Sequence, residues 1–598
     1  MSTTLTTSTT GRRGAVILSA LATTFATALI AAPQAQAAPT SATIAASTAT
    51  LDLDAADDAV NVTIEGGLVR HGLAGGGLAS ALDWDSAAAG DQTVPANGTF
   101  TIVLNGSDGA DALTVTATNT EIAKAVLNGD GGDDLLTGAR TADDLRGGAG
   151  NDRLVGFVGG DDMEGGDGND TLVWNNGDGS DVMDGEAGND GVEVNGAATA
   201  ADVFTIVPAG ARVDFDRTNL VPFSLDISTE RLEVNGLGGN DSATAGGALA
   251  PLILISLSGG AGADALTGAD GPDFIEGGED NDVLAGGGGD DRIVGDRGGD
   301  AMSGGDGDDT LVWNNGDGSD VMNGESGRDT IEVNGAPTAG DAFTVAFAGA
   351  RIDFDRTNLV PFSLDIGTTE AMALNGLGGD DTVAVGEVGA FHVTAAGGSG
   401  NDTLNGAGGA ETLLGGSGDD AITPGRGRDV AAGDEGNDTI VVRDGVSDFV
   451  RCGDGADAVT ADSAKVDVGM QGCETVTRKK PTVAISGSTA KVRRSIAAIR
   501  LTCPAASAVS CRGTLRLTTL APVRTGSRRA VLQLGRARFD IRAGRPATVR
   551  LKLVPRAVRL VNRRTGILGA RASAQTGSAG DVATSTRRIK LDFGRRAR

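Results

Sequence analysis

Residues Gly259–Val294 read GGAGADALT, GADGPDFIE, GGEDNDVLA and GGGGDDRIV when broken every nine positions. Gly at positions one, two and four permits tight turns with positive φ. Position six is Asp in all four units, and position eight is Leu or Ile. The phase continues through GDRGGDAMS and GGDGDDTLV to Val312, and the same unit recurs from Gly147 and again from Gly397. Such a period predicts a solenoid. The last three residues of each unit form a short strand with one inward apolar side chain, two units make a coil, and coils stack about 4.8 Å apart. Same-side aspartates then differ by eighteen residues: Asp264, Asp282 and Asp300 on one edge, Asp273, Asp291 and Asp309 on the other. Stacked carboxylates repel unless a cation lies between them. Carboxylates and turn carbonyls are hard oxygen donors, which suit Ca2+ better than Mg2+ or a transition metal.

The unit G-G-x-G-x-D-x-U-x resembles the RTX, or haemolysin-type, calcium-binding repeat, over roughly Asn128–Asp457. The resemblance implies a parallel β-roll that holds multiple Ca2+ ions in the turns between neighbouring coils. Carried over by position, it places the metal-ligand role on Asp133, Asp152, Asp161, Asp170, Asp181 and Asp190 in a first block. In a second block the role falls on Asp264, Asp273, Asp282, Asp291, Asp300, Asp309, Asp320 and Asp329, and in a third on Asp402, Asp420, Asp429 and Asp438. There are three departures: Glu411 replaces Asp, an extra residue disturbs TGARTADDLR near Asp143, and Pro424 opens one unit.

A longer period surrounds the short one. DTLVWNNGDGSDVM recurs from Asp170 to Asp309, and ARVDFDRTNLVPFSLDI at Ala211 recurs as ARIDFDRTNLVPFSLDI at Ala350, both at an offset of 139. Between the roll blocks the alternating segments VFTIVPAGARVDFDR and FTVAFAGARIDFDR predict β-hairpins. The stretch before Asn128 reads as a worn third copy. Trp174 and Trp313 occupy equivalent places after a strand, where a structural plug is expected rather than a carbohydrate-stacking surface. The DFDR tetrads, Asp214–Arg217 and Asp353–Arg356, are expected to be ion-paired strand ends.

Charge divides the chain near Thr477. Residues 478–598 carry 29 Lys/Arg against 3 Asp/Glu, and the remainder carries 20 against 77, so the parts stand at +26 and −57. The basic part alternates apolar residues with Arg or Thr and predicts a small β-sandwich, Ig-like in broad class. Four cysteines suit an oxidising compartment. Of the three possible pairings, Cys452–Cys473 and Cys503–Cys511 are favoured because each closes a loop within one domain.

Arg12 and Arg13 precede the apolar stretch Ala15–Ala32, and Ala35-Gln36-Ala37 is a small-x-small cleavage site, so residues 1–37 read as a signal peptide. No later segment could span a bilayer, and the mature chain is expected to be secreted or held at the cell envelope. The organisation expected for this all-β chain is a β-rich unit at 38–127, roll blocks at 128–195, 258–334 and 397–477, hairpin inserts at 196–257 and 335–396, and the basic sandwich at 478–598.

H-E-x-x-H, G-x-S-x-G and P-loop motifs are missing, and the two histidines, His71 and His392, lie far apart. A non-enzymatic, structural or adhesive calcium-binding role is therefore expected. The alternatives are a calcium-dependent polysaccharide-active enzyme and a toxin-like RTX protein. Anionic envelope polymers are the expected partners of the basic domain. Nucleic acid is not expected, because the arginines have no interleaved aromatics.

Overall fold

The computed structural model describes residues 40–72, 83–462, 467–478, 483–503, 511–525, 528–542, 544–560, 567–578 and 581–594. The expected export signal lies outside the described residues. Each nonapeptide ends in a strand, and alternate strands enter two different sheets. In the first sheet Val283–Gly288 pairs in parallel with Ala301–Asp306, with Leu284 opposite Met302. In the second, Phe274–Glu279 pairs in parallel with Arg292–Arg297, with Ile275 opposite Ile293. Neighbours in each sheet are thus eighteen residues apart here, as two strands per coil require. The first sheet has 24 strands in one ladder from Ser41–Ala45 to Thr475–Arg478.

Position eight faces the gap between the sheets. Leu266, Ile275, Leu284, Ile293, Met302 and Leu311 stack there at 2 % exposure or less. They belong to one apolar core that runs from Ala42 to Ala461. Apolar burial therefore contributes along the whole length of the solenoid.

The expected hairpins are present, but they are built into the solenoid rather than placed between blocks. Arg212–Arg217 runs antiparallel to both of its neighbours, Val203–Ala209 and Phe223–Ser228. The outer two join the first sheet in parallel, Phe223–Ser228 to Val182–Gly188 and Val203–Ala209 to Ser242–Ala245. Meanwhile the second sheet steps directly from Gly191–Asn195 to Arg231–Asn235. Ala342–Ala348, Arg351–Arg356 and Phe362–Gly367 repeat the arrangement. The worn third copy has its hairpin too, Ala59–Glu65 against Leu68–Arg70, but it lies in the second sheet.

Extra strands on one side only leave space, which bulky side chains fill. Trp174 stacks on Phe223 with ring centroids 3.8 Å apart, and Phe204 and Phe215 lie beside them. Both Trp174 and Trp313 are completely buried, as a plug should be. The DFDR arginines are not paired within their tetrads. Arg217 reaches Asp202 at 3.1 Å, and Arg356 reaches Asp341 at 3.4 Å. Each guanidinium also lies over the Trp and Phe rings, at 5.3 and 5.0 Å in the first copy. Removing this base would strand a buried carboxylate. Arg217→Met is expected to destabilise the protein by about 3–5 kcal/mol, read as a lowered urea midpoint, whereas Arg212→Met, at a half-exposed pair, is expected to cost about 1 kcal/mol or less.

Cys452–Cys473 and Cys503–Cys511 are both bonded. The basic part forms an eight-stranded sheet around a core of its own. It includes a parallel pairing of Thr489–Arg493 with Asp581–Asp592, and these pairings do not establish an immunoglobulin-like strand order.

Candidate metal centre

Position six is the residue immediately before each strand, so the solenoid stacks these side chains in two rows. Asp161, Asp181, Asp264, Asp282, Asp300, Asp320, Asp402, Asp420 and Asp438 precede strands of the first sheet. Asp152, Asp170, Asp190, Asp273, Asp291, Asp309, Asp329 and Asp429 precede strands of the second. All of them are 5 % exposed or less. Each row is threaded by hydrogen bonds from coil to coil. The Asp264 N–H donates to Asp282 Oδ1 at 2.8 Å, Asp282 to Asp300 at 2.9 Å and Asp300 to Asp320 at 2.9 Å. Opposite them, Asp273 donates to Asp291, Asp291 to Asp309 and Asp309 to Asp329, at 2.9 to 3.0 Å.

Asp133 is the exception. It is exposed, and its carboxylate accepts from the Asn151 N–H outside the row. The residue in register is Asp134, whose N–H donates to Asp152 Oδ1 at 2.8 Å; the neighbouring acid was one place out of phase. The extra residue expected near Asp143 is not there. Asp143 lies in the row, its N–H donating to Asp161 Oδ1 at 2.8 Å. Glu411 takes the place of an Asp, donating from its N–H to Asp429 Oδ1 at 3.0 Å, and the unit opened by Pro424 keeps its strand Val430–Glu435.

The rows also extend beyond the nonapeptide blocks, through Asp111, Asp202, Asp241, Asp341 and Asp381, and within the third block they continue through Asp448 and Asp457. The signal for several of them was in the sequence. GSDGADALT from Gly106, GLGGNDSAT from Gly236 and GLGGDDTVA from Gly376 each carry Asp at position six.

In most of these carboxylates Oδ1 has its backbone partner and Oδ2 is left over, although Oδ2 of Asp273, Asp202 and Asp341 accepts from the N–H of Ala269, Ala197 and Ala336. In Asp134, Asp152, Asp161, Asp170, Asp264, Asp282, Asp291, Asp300, Asp309, Asp402 and Asp420 it is buried without a hydrogen-bond partner. A buried carboxylate oxygen with nothing beside it carries a heavy desolvation cost. Burial pushes Asp161 up to about 9, Asp291 up to about 8, and Asp282 and Asp300 up to about 7, with neighbouring carboxylates adding to the rise. Two positions show what compensation looks like. At Asp202 and Asp341, where the nonapeptide pattern is broken, the chain supplies its own cation in Arg217 and Arg356. Along the regular blocks no base enters the rows among the described residues, so charge balance there calls for a cation from outside.

The glycines divide their work. Gly260 and Gly262, at positions two and four, have φ of +97° and +130°. Gly259 at position one is needed for room instead: a methyl group there would overlap Asp264 Oδ2 and stand 2.7 Å from the Gly277 carbonyl oxygen. Carboxylate and carbonyl oxygens thus close on the same point from adjacent coils. Among the described residues no three acidic, histidine or cysteine side chains form a metal cage by themselves. A cation in the rows therefore needs backbone carbonyls as well as carboxylates, and an all-oxygen set of this kind fits Ca2+.

The RTX calcium-binding nonapeptide repeat family, in its four-copy form, matches residues 137–172, 177–192, 258–293, 276–311, 315–335, 394–422 and 415–446. No curated protein matches the chain. The matched segments are those in which the rows are most regular. In these segments the chain carries RTX calcium-binding nonapeptide repeats, and such repeats bind Ca2+ at multiple sites.

Proposed function

We propose that this is an exported, non-enzymatic protein whose solenoid folds when calcium binds, and which serves a structural or adhesive role outside the cell. The observation that carries the reading is the pair of rows of buried, partnerless carboxylate oxygens. Asp134, Asp152, Asp161, Asp170, Asp181, Asp190 and their counterparts in the later blocks are the proposed ligands, together with carbonyl groups of the glycine turns. Bound calcium supplies positive charge between oxygens that otherwise repel. The chain's own part is to hold Oδ1 by a backbone N–H and leave Oδ2 free, which preserves the carboxylate's orientation. Because an unfolded chain has no such rows, binding free energy becomes folding free energy. The N-terminal signal pattern and the two disulfides support export. Extracellular calcium modules bind at about 10⁻⁴ to 10⁻³ M, so export would itself trigger folding.

Calorimetric titration of Asp291→Asn tests the ligand assignment. The amide keeps the shape and can accept from Asp273 N–H, but it removes the charge. Fewer ions bound than in wild type, with a higher calcium midpoint for folding, is the expected result. An unchanged titration would remove Asp291 from the ligand set.

A further inference from the structure

The solenoid places like charges together and answers them with a cation; the C-terminal domain presents the opposite problem. Its strands Asp581–Asp592, Ile567–Ser578, Cys511–Thr519 and Gln533–Ile541 lie side by side. The register sets Arg516 directly opposite Arg536 and Arg571 directly opposite Arg588. With Arg538 and Lys590 they form a band across four strands, all facing away from the core. Like charges in directly opposed positions repel across a ladder. Among the described residues one base of this face is held by a carboxylate, Arg512 by Asp540 at 2.8 Å. Arg516 Nε is buried and has no hydrogen-bond partner.

We propose that this arginine band binds an acidic polysaccharide. The inference rests on the exported, surface-associated reading above and gives it a ligand class. Three features select that class. The basic part has 24 Arg and 5 Lys, and the guanidinium fork matches a carboxylate bidentately where an ammonium cannot. Strand spacing puts the two bases of each opposed pair about 4.8 Å apart across the ladder, so that one carboxylate can sit between them, which suits a linear polymer with carboxylates at regular intervals. Thr514, Ser573 and Thr586 lie on the same face and offer hydroxyls to sugar hydroxyls. Among the described residues this face presents no aromatic ring on which a nucleic-acid base could stack, Phe539 being buried.

The test uses the full chain, with hyaluronate as a uronate polymer and dextran as its neutral counterpart, at about 0.15 M salt. Wild type is expected to bind hyaluronate, more weakly as salt rises, and not dextran. Arg516→Gln with Arg571→Gln is expected to bind at least about tenfold more weakly. Arg516→Lys with Arg571→Lys is expected to lose several-fold although the charge is kept. The Gln variant relieves repulsion and the Lys variant leaves the charge of this outward face unchanged, so both are expected to fold, as circular dichroism would show. Undiminished binding by the Gln variant would overturn the proposal, as would equal binding to dextran or tighter binding to duplex DNA. Repeating the measurement with chelator separates this proposal from the calcium reading. Hyaluronate binding that persists upholds the arginine face whatever the solenoid does.

Discussion

Stripped of calcium at about pH 8, the full chain is expected to lose most of its β-structure, and at about pH 5 to regain it without calcium. In the cation-free coil, burial raises Asp161 to about 9, Asp291 to about 8 and Asp282, Asp300 and Asp420 to about 7. Their ordinary value is 3.8. The folded state therefore holds protons that the unfolded chain has released. This protonation-linked stability is complete below about pH 4 and is lost progressively as pH rises to between about 7 and 9. A proton neutralises one buried carboxylate at a time and does what a cation does for several. Circular dichroism across pH, with chelator and with about 10⁻³ M calcium, gives the result directly. A chelated protein that melts on acidification, or stays folded at pH 8, would contradict the argument. The arginine-plugged coils should be the last to open, which hydrogen exchange can localise.

The second large effect is steric. Gly318→Ala is expected to destabilise the calcium-loaded protein by about 3 kcal/mol or more. A methyl group at Gly318 would overlap the carbonyl oxygen and carbon of Gly298 in the preceding coil. Both are backbone atoms and cannot rotate away. Gly318 also offers its carbonyl oxygen to the Trp313 indole N–H at 3.0 Å, so any shift of the turn disturbs the plug. Gly316→Ala, two residues earlier, has open space around it and a φ of +119°, and is expected to cost about 1 kcal/mol. Urea unfolding of the two variants separates close approach from backbone conformation. Equal losses would show that the contact between coils does not set the limit.

The nine-residue phase was enough to place seventeen of the eighteen chosen aspartates in two rows, because period and strand pairing are the same fact in a parallel solenoid. Asp133 failed for a local reason. In GDGGDDLLT two acids are adjacent, and only the count from Gly129 selects Asp134. The continuation through residues 196–257 and 335–396 was harder to read. There the hairpins add strands to one sheet while the other sheet steps past them. Nothing in the alternation of VFTIVPAGARVDFDR says which partner its outer strands choose. Asp202 and Asp341 were hidden by an additional residue in GAATAAD and GAPTAGD. Their arginines come fifteen residues later, at Arg217 and Arg356, a separation that no local pattern announces. The like-charge pairs of the basic domain depend wholly on register, which the sequence of isolated strands does not contain.

The two arginine plugs have a kinetic meaning. A chain of near-identical nonapeptides can pair any coil with any other, and a slip of eighteen residues would bury much the same side chains. The coils around Trp174 and Trp313 tolerate no such slip, because each guanidinium needs its own Asp, its own rings and the carbonyl of Val221 or Val360. They serve as registration marks: two places where assembly can begin correctly before any ion arrives, and from which the remaining coils can be added outward, each templated by its neighbour.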